Sequence, residues 1–176
     1  LGMTPRTYRR GGAGMRIAFT IVTCDFGRML VGATERGVSS VTFGDDDGVL
    51  ERILRAEYHA AEIVRDDAAL RPRVEAVLAR IDGASADLPL DIRATAFQAR
   101  VWDALTRIPR GETRTYAEVA REIGAPASYR AVANACGANP VAAVIPCHRV
   151  VGSHGTPGGY RWGPARKRAL QAKERA

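Results

Sequence analysis

The alternation of hydrophobic and polar residues in the first part of the chain is typical of strands. Three runs rich in Val, Ile, Thr and Phe cover residues 15 to 24, 28 to 34 and 37 to 43. The turn sequences Asp25-Phe26-Gly27 and Arg36-Gly37 separate these runs. The pattern predicts three consecutive antiparallel strands joined by short turns.

Helical spacing follows the strand pattern. The acidic run Asp45-Asp46-Asp47 suits the N-terminus of a helix, because carboxylates there interact favourably with the helix dipole. Two apolar stripes come after it, made of Leu50, Ile53, Leu54 and Tyr58 and of Val74, Val77, Leu78 and Ile81. The stripes predict two packing helices, and the carboxylates of this region are interpreted as solvated surface.

The second half of the chain is predicted to be mostly helical. Thr95 is suited to cap an amphipathic helix, and Pro109 with Gly111 stops it. Two shorter helical segments follow, closed by Gly124 and Gly137. A pair of short helices across a tight turn is the helix-turn-helix pattern, although an αα-hairpin that only packs has the same pattern.

The second helix of this pair has an unusual composition. It carries the small residues Ala131, Ala133 and Ala135 and one large cation, Arg130. A helix of small side chains can lie closer to another surface than a bulkier helix can. The composition therefore favours a helix that approaches a partner closely.

Together these elements predict an α/β (α+β) fold in two lobes. Residues 15–92 are expected to form a small N-terminal lobe with a short antiparallel sheet and helices. Residues 93–176 are expected to form a mostly helical C-terminal lobe that contains the helix-turn-helix. Residues 1–14 are interpreted as a linker or tail.

The composition is that of an ordinary globular protein. Of 176 residues, 46% are hydrophobic and 26% are charged, which argues against disorder. The three cysteines include no Cys-x-x-Cys pair, so neither a disulfide framework nor a cysteine zinc site is expected. No stretch approaches the roughly 20 apolar residues of a membrane span. We expect a cytoplasmic protein with reduced thiols.

The net charge of +7 is unevenly distributed along the chain. Residues 1–92 hold 12 Lys/Arg and 14 Asp/Glu, a net charge of −2, whereas residues 93–176 hold 14 and 5, a net charge of +9. A basic surface attracts polyanions by steering and counterion release. The second lobe is therefore expected to bind nucleic acid, the alternative being a solvated basic face.

Candidate chemistry centres on one cysteine, Cys147. Cys24 and Cys136 lie in apolar or helical patterns and are interpreted as core residues. Cys147 instead stands between Pro146 and the polar pair His148-Arg149, which interrupts the apolar run at the thiol.

A catalytic thiol needs help to ionise. Its unperturbed pKa is about 8.5, and the thiolate is the nucleophile. His148 is a candidate base, directly or through a water, and a carboxylate would hold its imidazole in the right tautomer. Arg149 is expected either to lower the pKa of the thiol or to tie the loop to backbone carbonyls.

The segment "NPVAAVIPCHRVVGSHGTPGGYRWG" resembles the active-site segment of the O6-alkylguanine-DNA alkyltransferases, also called methylated-DNA–protein-cysteine methyltransferases. The resemblance extends through "TAFQARVWDALTRIPRGETRTYAEVA" and covers residues 94 to 174 strongly, and the first lobe more loosely. Through "LPLDIRATAFQ" and "GYRWG" it is greatest to the alkyltransferase half of the bacterial adaptive-response subgroup, the Ada proteins.

The resemblance implies a catalytic role for three residues. Cys147 would accept the alkyl group from O6 of guanine, and activity on O4 of thymine is part of the same expectation. His148 would activate the thiol through a water, and Glu174 would orient His148. The reaction would be irreversible, with one alkyl group per protein molecule and no metal or cofactor.

Further roles follow from the same resemblance. Asn139 would hold the active-site turn, and Tyr116 would donate to the leaving base, with Tyr160 and Arg161 as further base-binding residues. Arg130 would enter double-stranded DNA where the damaged nucleotide is flipped out. Ala131, Ala133 and Ala135 would lie in the minor groove, and the protein would act as a monomer.

Two other functions compete with this interpretation. A non-catalytic relative would bind alkylated DNA without repairing it, but such proteins lack the nucleophile. A Cys-His hydrolase acting on a small acyl substrate would turn over many times and would not need the basic second lobe.

Two features depart from the common family pattern. Arg161-Trp162 stands where many members carry small residues, which predicts a narrower pocket that prefers methyl to benzyl adducts. The opening residues "LGMTPRTYRR" resemble the tail of an AraC-type regulatory domain. We therefore expect this chain to be the C-terminal piece of a longer regulator.

Overall fold

The computed structural model describes residues 11–176 of the chain. It has two compact units, the first ending at Arg93 and the second comprising Ala94–Ala176. Most of the predicted tail, residues 1–10, lies outside the described residues. Within the described part, every helix is too short or too polar to cross a bilayer.

The first unit contains a four-stranded sheet. Its strands are β1 (Arg16–Cys24), β2 (Gly27–Thr34), β3 (Gly37–Gly44) and β4 (Glu62–Arg65), in the order β3-β2-β1-β4. The first three are antiparallel neighbours, which confirms the predicted hairpins. The prediction missed β4, which pairs with β1 in parallel; its four residues are too few to show a strand pattern.

Two helices accompany this sheet. Helix α1 spans Asp47–Glu57 and α2 spans Asp67–Ile81. Asp46 caps the N-terminus of α1, and its side chain accepts a hydrogen bond from the Val49 amide at 2.8 Å. An apolar cluster joins α1 to the strands and consists of Ile17, Phe19, Ile21, Leu30, Leu50, Leu54 and Tyr58.

One residue predicted to face this core does not do so. Ile53 is 42% exposed, whereas its neighbour Leu54 is buried. Successive residues of a helix are rotated by about 100°, so Ile53 points to the solvent when Leu54 points to the core. The exposed side chain leaves Leu50 and Leu54 as the residues of α1 that fix the helix to the core.

The second unit begins with α3 (Ala96–Thr106), which packs against the helices that follow. Thr95 caps it as predicted, in a capping box with Gln98. The Trp102 side chain of α3 is buried, and its indole nitrogen donates to the Ala135 carbonyl at 2.9 Å. This bond ties α3 to the second helix of the helix-turn-helix.

That motif consists of α4 (Tyr116–Glu122), a short 3-10 turn (Pro126–Ser128) and α5 (Tyr129–Gly137). Thr115 and Glu118 form a capping box at the start of α4, so this helix also begins at a defined residue. The chain then passes through the Cys147 loop and ends in α6 (Pro164–Arg175).

A small parallel pair of strands, β5 (Arg114–Thr115) and β6 (Val150–Val151), was not predicted from the sequence. It joins the residues just before α4 to those just after the Pro-Cys-His-Arg segment. The pairing therefore holds the cysteine loop beside the helix-turn-helix.

Candidate active site

Cys147 begins a 3-10 turn, Cys147–Arg149, at the end of a buried loop. The residue is 3% exposed, and its amide donates to the Ile145 carbonyl at 2.8 Å. Pro146 precedes the turn and has no amide hydrogen that would need a partner. The thiol therefore lies on a rigid backbone segment inside the second unit.

Asn139 holds this loop from within. Its side-chain oxygen accepts from the Val141 amide at 3.0 Å, and its Nδ2 donates to the Ile145 carbonyl at 2.9 Å. The same nitrogen lies 3.2 Å from Cys147 Sγ and donates to it. Asn139 is fully buried, so one amide group both closes the turn and gives the sulfur a hydrogen-bond donor.

His148 is paired with Glu174 of α6. The Nε2 atom lies 2.8 Å from Glu174 Oε1, and both side chains are buried. Burial lowers the pKa of His148, and the hydrogen bond that His148 makes to the Glu174 carboxylate opposes the shift. The imidazole is therefore neutral at pH 7.

Arg149 holds the other side of the same carboxylate. Its Nη2 donates to Glu174 Oε1 at 2.8 Å, its Nε donates to Oε2 at 3.0 Å, and its Nη1 donates to the Ile108 carbonyl at 2.6 Å. Of the two roles open for Arg149, the geometry supports tying the loop down.

Glu174 is ionised in this network. Burial alone would raise its pKa, but hydrogen bonds from His148 and Arg149 hold the pKa at about 2. An ionised carboxylate can only accept hydrogen bonds, so the proton of the neutral imidazole is on Nε2. The second ring nitrogen, Nδ1, then carries a lone pair; it is buried and hydrogen bonded to no described protein atom.

Lys167 and Gln171 complete the support for the turn and were not predicted as site residues. The fully buried Lys167 donates from Nζ to the Val150 carbonyl at 2.6 Å, and Gln171 donates to the His148 carbonyl at 2.7 Å. Lys167, Gln171 and Glu174 are spaced four and three residues apart, which places them on one face of α6. This polar stripe was the sequence signal for them.

The Cys147 thiol is neutral in the free protein. Burial raises its pKa to about 11, although the hydrogen bond from Asn139 and the positive charge of Lys167 oppose that shift. The site therefore does not store a thiolate. A base must take the proton when a substrate is present.

A cavity of about 320 Å³ opens beside the sulfur. Its lining brings together several predicted site residues with others that were not predicted: Tyr116, Ala133, Asn134, Cys136, Gly137, Cys147, Gly159, Tyr160 and Arg161. The volume is at the lower end of the roughly 300–1,000 Å³ typical of ligand pockets. Cys136 is buried as expected, but it also lines this cavity.

Two tyrosines of the cavity wall are held in their protonated form. Burial raises the pKa of Tyr116 to about 12, and it also raises the pKa of Tyr160 well above the ordinary value. Both hydroxyls can therefore donate hydrogen bonds at neutral pH.

Arg161 lies at the exposed side of this cavity. Its Nη1 is 3.5 Å from the Asn139 carbonyl, and its guanidinium carbon is 5.8 Å from the Trp162 ring centroid. The buried Trp162 packs edge-on against Tyr160 with ring centroids 5.1 Å apart. The side chain of Arg161 thus has a buried aromatic support.

Helix α5 presents only some of the residues expected at its surface. Arg130 and Ala131 are exposed, and Ala133 is half-buried at the cavity. Ala135, which was expected to contact DNA, is instead buried in the unit, where its carbonyl accepts the hydrogen bond from Trp102. Asn134 and Gly137 are exposed on this helix instead.

The sequence of the chain is similar to those of DNA repair proteins. A profile of the 6-O-methylguanine DNA methyltransferase, DNA binding domain, matches residues 96–176. The bifunctional transcriptional activator/DNA repair enzyme Ada of Escherichia coli strain K12 is 44% identical over 176 residues, which are 99% of this chain and 50% of that protein.

A methylated-DNA–protein-cysteine methyltransferase of Mycobacterium tuberculosis strain H37Rv is 54% identical over 90 residues, which are 51% of this chain and 54% of that protein. The chain spans about half the length of these curated relatives.

Solved structures match over nearly the whole chain. The crystal structure of Mycobacterium tuberculosis O6-methylguanine methyltransferase is 34% identical, with a TM-score of 0.73 over 90% of this chain and 93% of that one. The structure of the Mycobacterium tuberculosis protein OGT in complex with DNA gives the same identity and TM-score over 91% of this chain and 92% of that one.

Proposed function

The chain belongs to the O6-methylguanine-DNA methyltransferase family, and from this we propose that it repairs alkylated DNA by direct reversal. The methyl group on O6 of guanine, or on O4 of thymine, would pass irreversibly to Cys147. The observation that carries the proposal is a buried thiol at a cavity of about 320 Å³, backed by the His148–Glu174 pair.

The first step is ionisation of the thiol. Because the pKa of Cys147 is about 11, the thiol needs a base at neutral pH. His148 is neutral, with its proton on Nε2 and its lone pair on Nδ1, and it takes the thiol proton through a bridging water. Glu174 stabilises the resulting imidazolium, as the carboxylate of a catalytic triad does.

The second step is in-line displacement at the methyl carbon. A bond forms between Cys147 Sγ and the carbon while the bond between the carbon and O6 breaks, and the electron pair of the broken bond stays on guanine. Tyr116, whose pKa of about 12 keeps it protonated, donates a hydrogen bond to the base and reduces the negative charge on it.

The product explains why the reaction is stoichiometric. A thioether sulfur has no proton to lose and no leaving group that water displaces at neutral pH. The network of His148, Glu174 and Arg149 offers no group that would attack the new carbon–sulfur bond. Each protein molecule therefore accepts one alkyl group and is consumed.

Charge supports DNA as the partner. Residues Ala94–Ala176 carry 13 Lys/Arg and 5 Asp/Glu, a net charge of +8. A positive surface attracts the DNA phosphates, and phosphate contacts do not depend on the base sequence. A repair protein requires such contacts, because lesions occur in any sequence.

Helix α5 provides the contact surface of this scheme. Ala131 is exposed and small, so α5 can enter a minor groove that is roughly 6 Å wide. Arg130 would occupy the place of the nucleotide that turns out into the cavity. An alkylated base pairs poorly, which lowers the free-energy cost of this extrusion. One copy of the chain contains every group used, so the protein would act as a monomer.

Mass spectrometry tests the proposal. The chain is incubated with a duplex that carries one O6-methylguanine, with Cys147→Ser as the matched control. We expect a gain of one methylene on the peptide that contains Cys147, saturating at one equivalent and absent from the control. Binding without a gain in mass would instead support a non-catalytic DNA-binding protein, and repair with turnover and an unmodified Cys147 would overturn the mechanism.

A further inference from the structure

The first turn of α5 carries an exposed aromatic side chain that has no role in the scheme above. Tyr129 is 46% exposed. The guanidinium carbon of Arg130 lies 5.5 Å from the centroid of the Tyr129 ring. This separation is within the roughly 6 Å over which a cation is attracted to an aromatic face.

Tyr129 and Arg130 lie on the face of α5 that borders the cavity. Ala133 and Gly137, which line the cavity, follow Tyr129 at successive intervals of four residues, and Asn134 follows Arg130 at the same interval. Residues four apart lie above one another on a helix. The Tyr129–Arg130 pair is therefore one helical turn from the wall of the cavity.

The opposite face of α5 is closed. Val132 and Ala135 are buried in the unit, and Ala135 accepts the Trp102 hydrogen bond. Of the large side chains on this helix, only Tyr129 and Arg130 stand at the solvent-exposed side next to the cavity. A duplex with one nucleotide in the cavity would meet both of them.

From this placement we propose that Tyr129 is a positioning residue for nucleotide extrusion, an inference that rests on the proposed function. In the free protein its ring holds the Arg130 guanidinium, which reduces the rotamer entropy that Arg130 loses on entering the duplex. In the complex the ring packs on the nucleotide next to the extruded one, as aromatic side chains stack on unpaired bases.

The test compares single-turnover methyl transfer from two substrates. One is a duplex with a single O6-methylguanine, and the other is the free O6-methylguanine base, which needs no extrusion. For Tyr129→Ala we expect the rate constant with the duplex to fall about tenfold and the rate constant with the free base to stay unchanged. Tyr129→Phe retains the ring and should react like the wild-type chain.

A second readout follows extrusion itself. A 2-aminopurine placed next to the lesion increases in fluorescence when stacking is lost. Tyr129→Ala should slow that increase, whereas Tyr129→Phe should not. Ile53→Ala, which removes a comparably exposed apolar side chain from α1 of the other unit, is the matched control. It should leave the rate constants with both substrates unchanged.

The coupling between the two residues is also measurable. If Tyr129 acts partly through Arg130, the loss caused by Tyr129→Ala should be smaller in an Arg130→Ala background than in the wild-type chain. Wild-type duplex rates in Tyr129→Ala, or equal losses on duplex and free base, would overturn the inference. If the wild-type chain transferred a methyl group from neither the duplex nor the free base, the proposed function itself would be overturned.

Discussion

His148 Nε2 and Glu174 Oε1 are 2.8 Å apart in a buried part of the second unit, although 26 residues separate them in the chain. The contact brings a loop residue against the last helix and settles which ring nitrogen holds the proton. It also leaves Nδ1 as the group able to accept a proton. The chemistry proposed for Cys147 depends on this relationship.

Replacing Glu174 by Gln should slow methyl transfer strongly. The amide no longer stabilises an imidazolium, and it does not pair with the charge of Arg149. We expect the single-turnover rate constant to fall by about 10²–10⁴-fold, the usual contribution of a general base and its partner. Glu112→Gln is the matched control, because Glu112 is an exposed residue of the same unit paired only with Arg114 at 2.9 Å among the described contacts. A Glu174→Gln rate within twofold of the wild-type rate would contradict the relay.

Protonation of Glu174 at low pH should lower the free energy of unfolding. Its pKa is about 2 in the folded protein and close to the ordinary 4.5 in the unfolded chain. A lowered pKa contributes stability that is complete above the unfolded value and is lost as the pH falls from 4.5 toward 2. The contribution is on the order of 3 kcal/mol.

Urea unfolding between pH 2 and 7 measures this contribution. The wild-type free energy of unfolding should fall more steeply below pH 4.5 than that of Glu174→Gln, whose stability is lower at neutral pH. Parallel curves for the two proteins would show that Glu174 is not ionised in the way the network requires.

Cys147 should be a slow nucleophile toward iodoacetamide in the absence of DNA. Burial raises the pKa of its thiol to about 11, so the thiolate fraction grows with pH well beyond the range of an ordinary thiol. Peptide-resolved mass spectrometry from pH 6 to 11 should show a modification rate that still rises above pH 9. The chain unfolded in guanidinium is the control, and its modification rate should reach half of its maximum at a pH of about 8.5. Equal pH profiles for the two states would be inconsistent with a buried neutral thiol.

Asn139→Ala should destabilise the second unit. The substitution leaves the Val141 amide buried without its partner, removes one of the two hydrogen bonds to the Ile145 carbonyl and removes the donor to the sulfur. An unsatisfied amide costs about 1–3 kcal/mol and each lost hydrogen bond about 1 kcal/mol, so the free energy of unfolding should fall by about 2 kcal/mol or more. Asn134→Ala, at an exposed position of α5, is the comparison variant for urea denaturation. Similar stabilities for both variants would mean that Asn139 does not hold the loop.

The cavity should discriminate against bulky adducts. Arg161 and the half-buried Tyr160 border the space beside Cys147, and Tyr160 packs edge-on against the buried Trp162 behind it. These bulky side chains reduce the room for a large alkyl group. O6-methylguanine should react at least about tenfold faster than O6-benzylguanine in matched duplexes. Comparable rate constants for the two adducts, measured by the appearance of modified Cys147, would refute a narrow pocket.

Local sequence signals account for much of the fold. The strands β1 to β3 were predicted because their apolar runs and turn residues lie next to each other in the chain. The Thr95 cap was predicted for the same reason, since a capping box is contained within four residues. β4 was missed because a four-residue strand gains its stability from pairing with β1, more than 40 residues earlier.

Some features of the candidate site could also be predicted from the sequence, and others could not. The Pro-Cys-His-Arg segment and its resemblance to a repair family identified Cys147, His148 and Glu174 as residues to consider. The burial of Ala135 was not predictable, because an alanine in a helix of small residues carries no sign of which side will face Trp102. The inward polar stripe of α6 was equally ambiguous, since Lys167 and Gln171 are residue types that usually face solvent.

The sequence by itself determined the three antiparallel strands, the main helices, the basic second half and the candidate nucleophile, because periodicity, charge and a short motif are local properties. Only the tertiary structure decided the protonation states and the contacts that control them. The pKa of about 11 for Cys147 and of about 2 for Glu174 arise from burial and from partners far away in the chain. Electrostatic free energies depend on distances in space and on the exclusion of water, and those quantities exist only once the chain has folded.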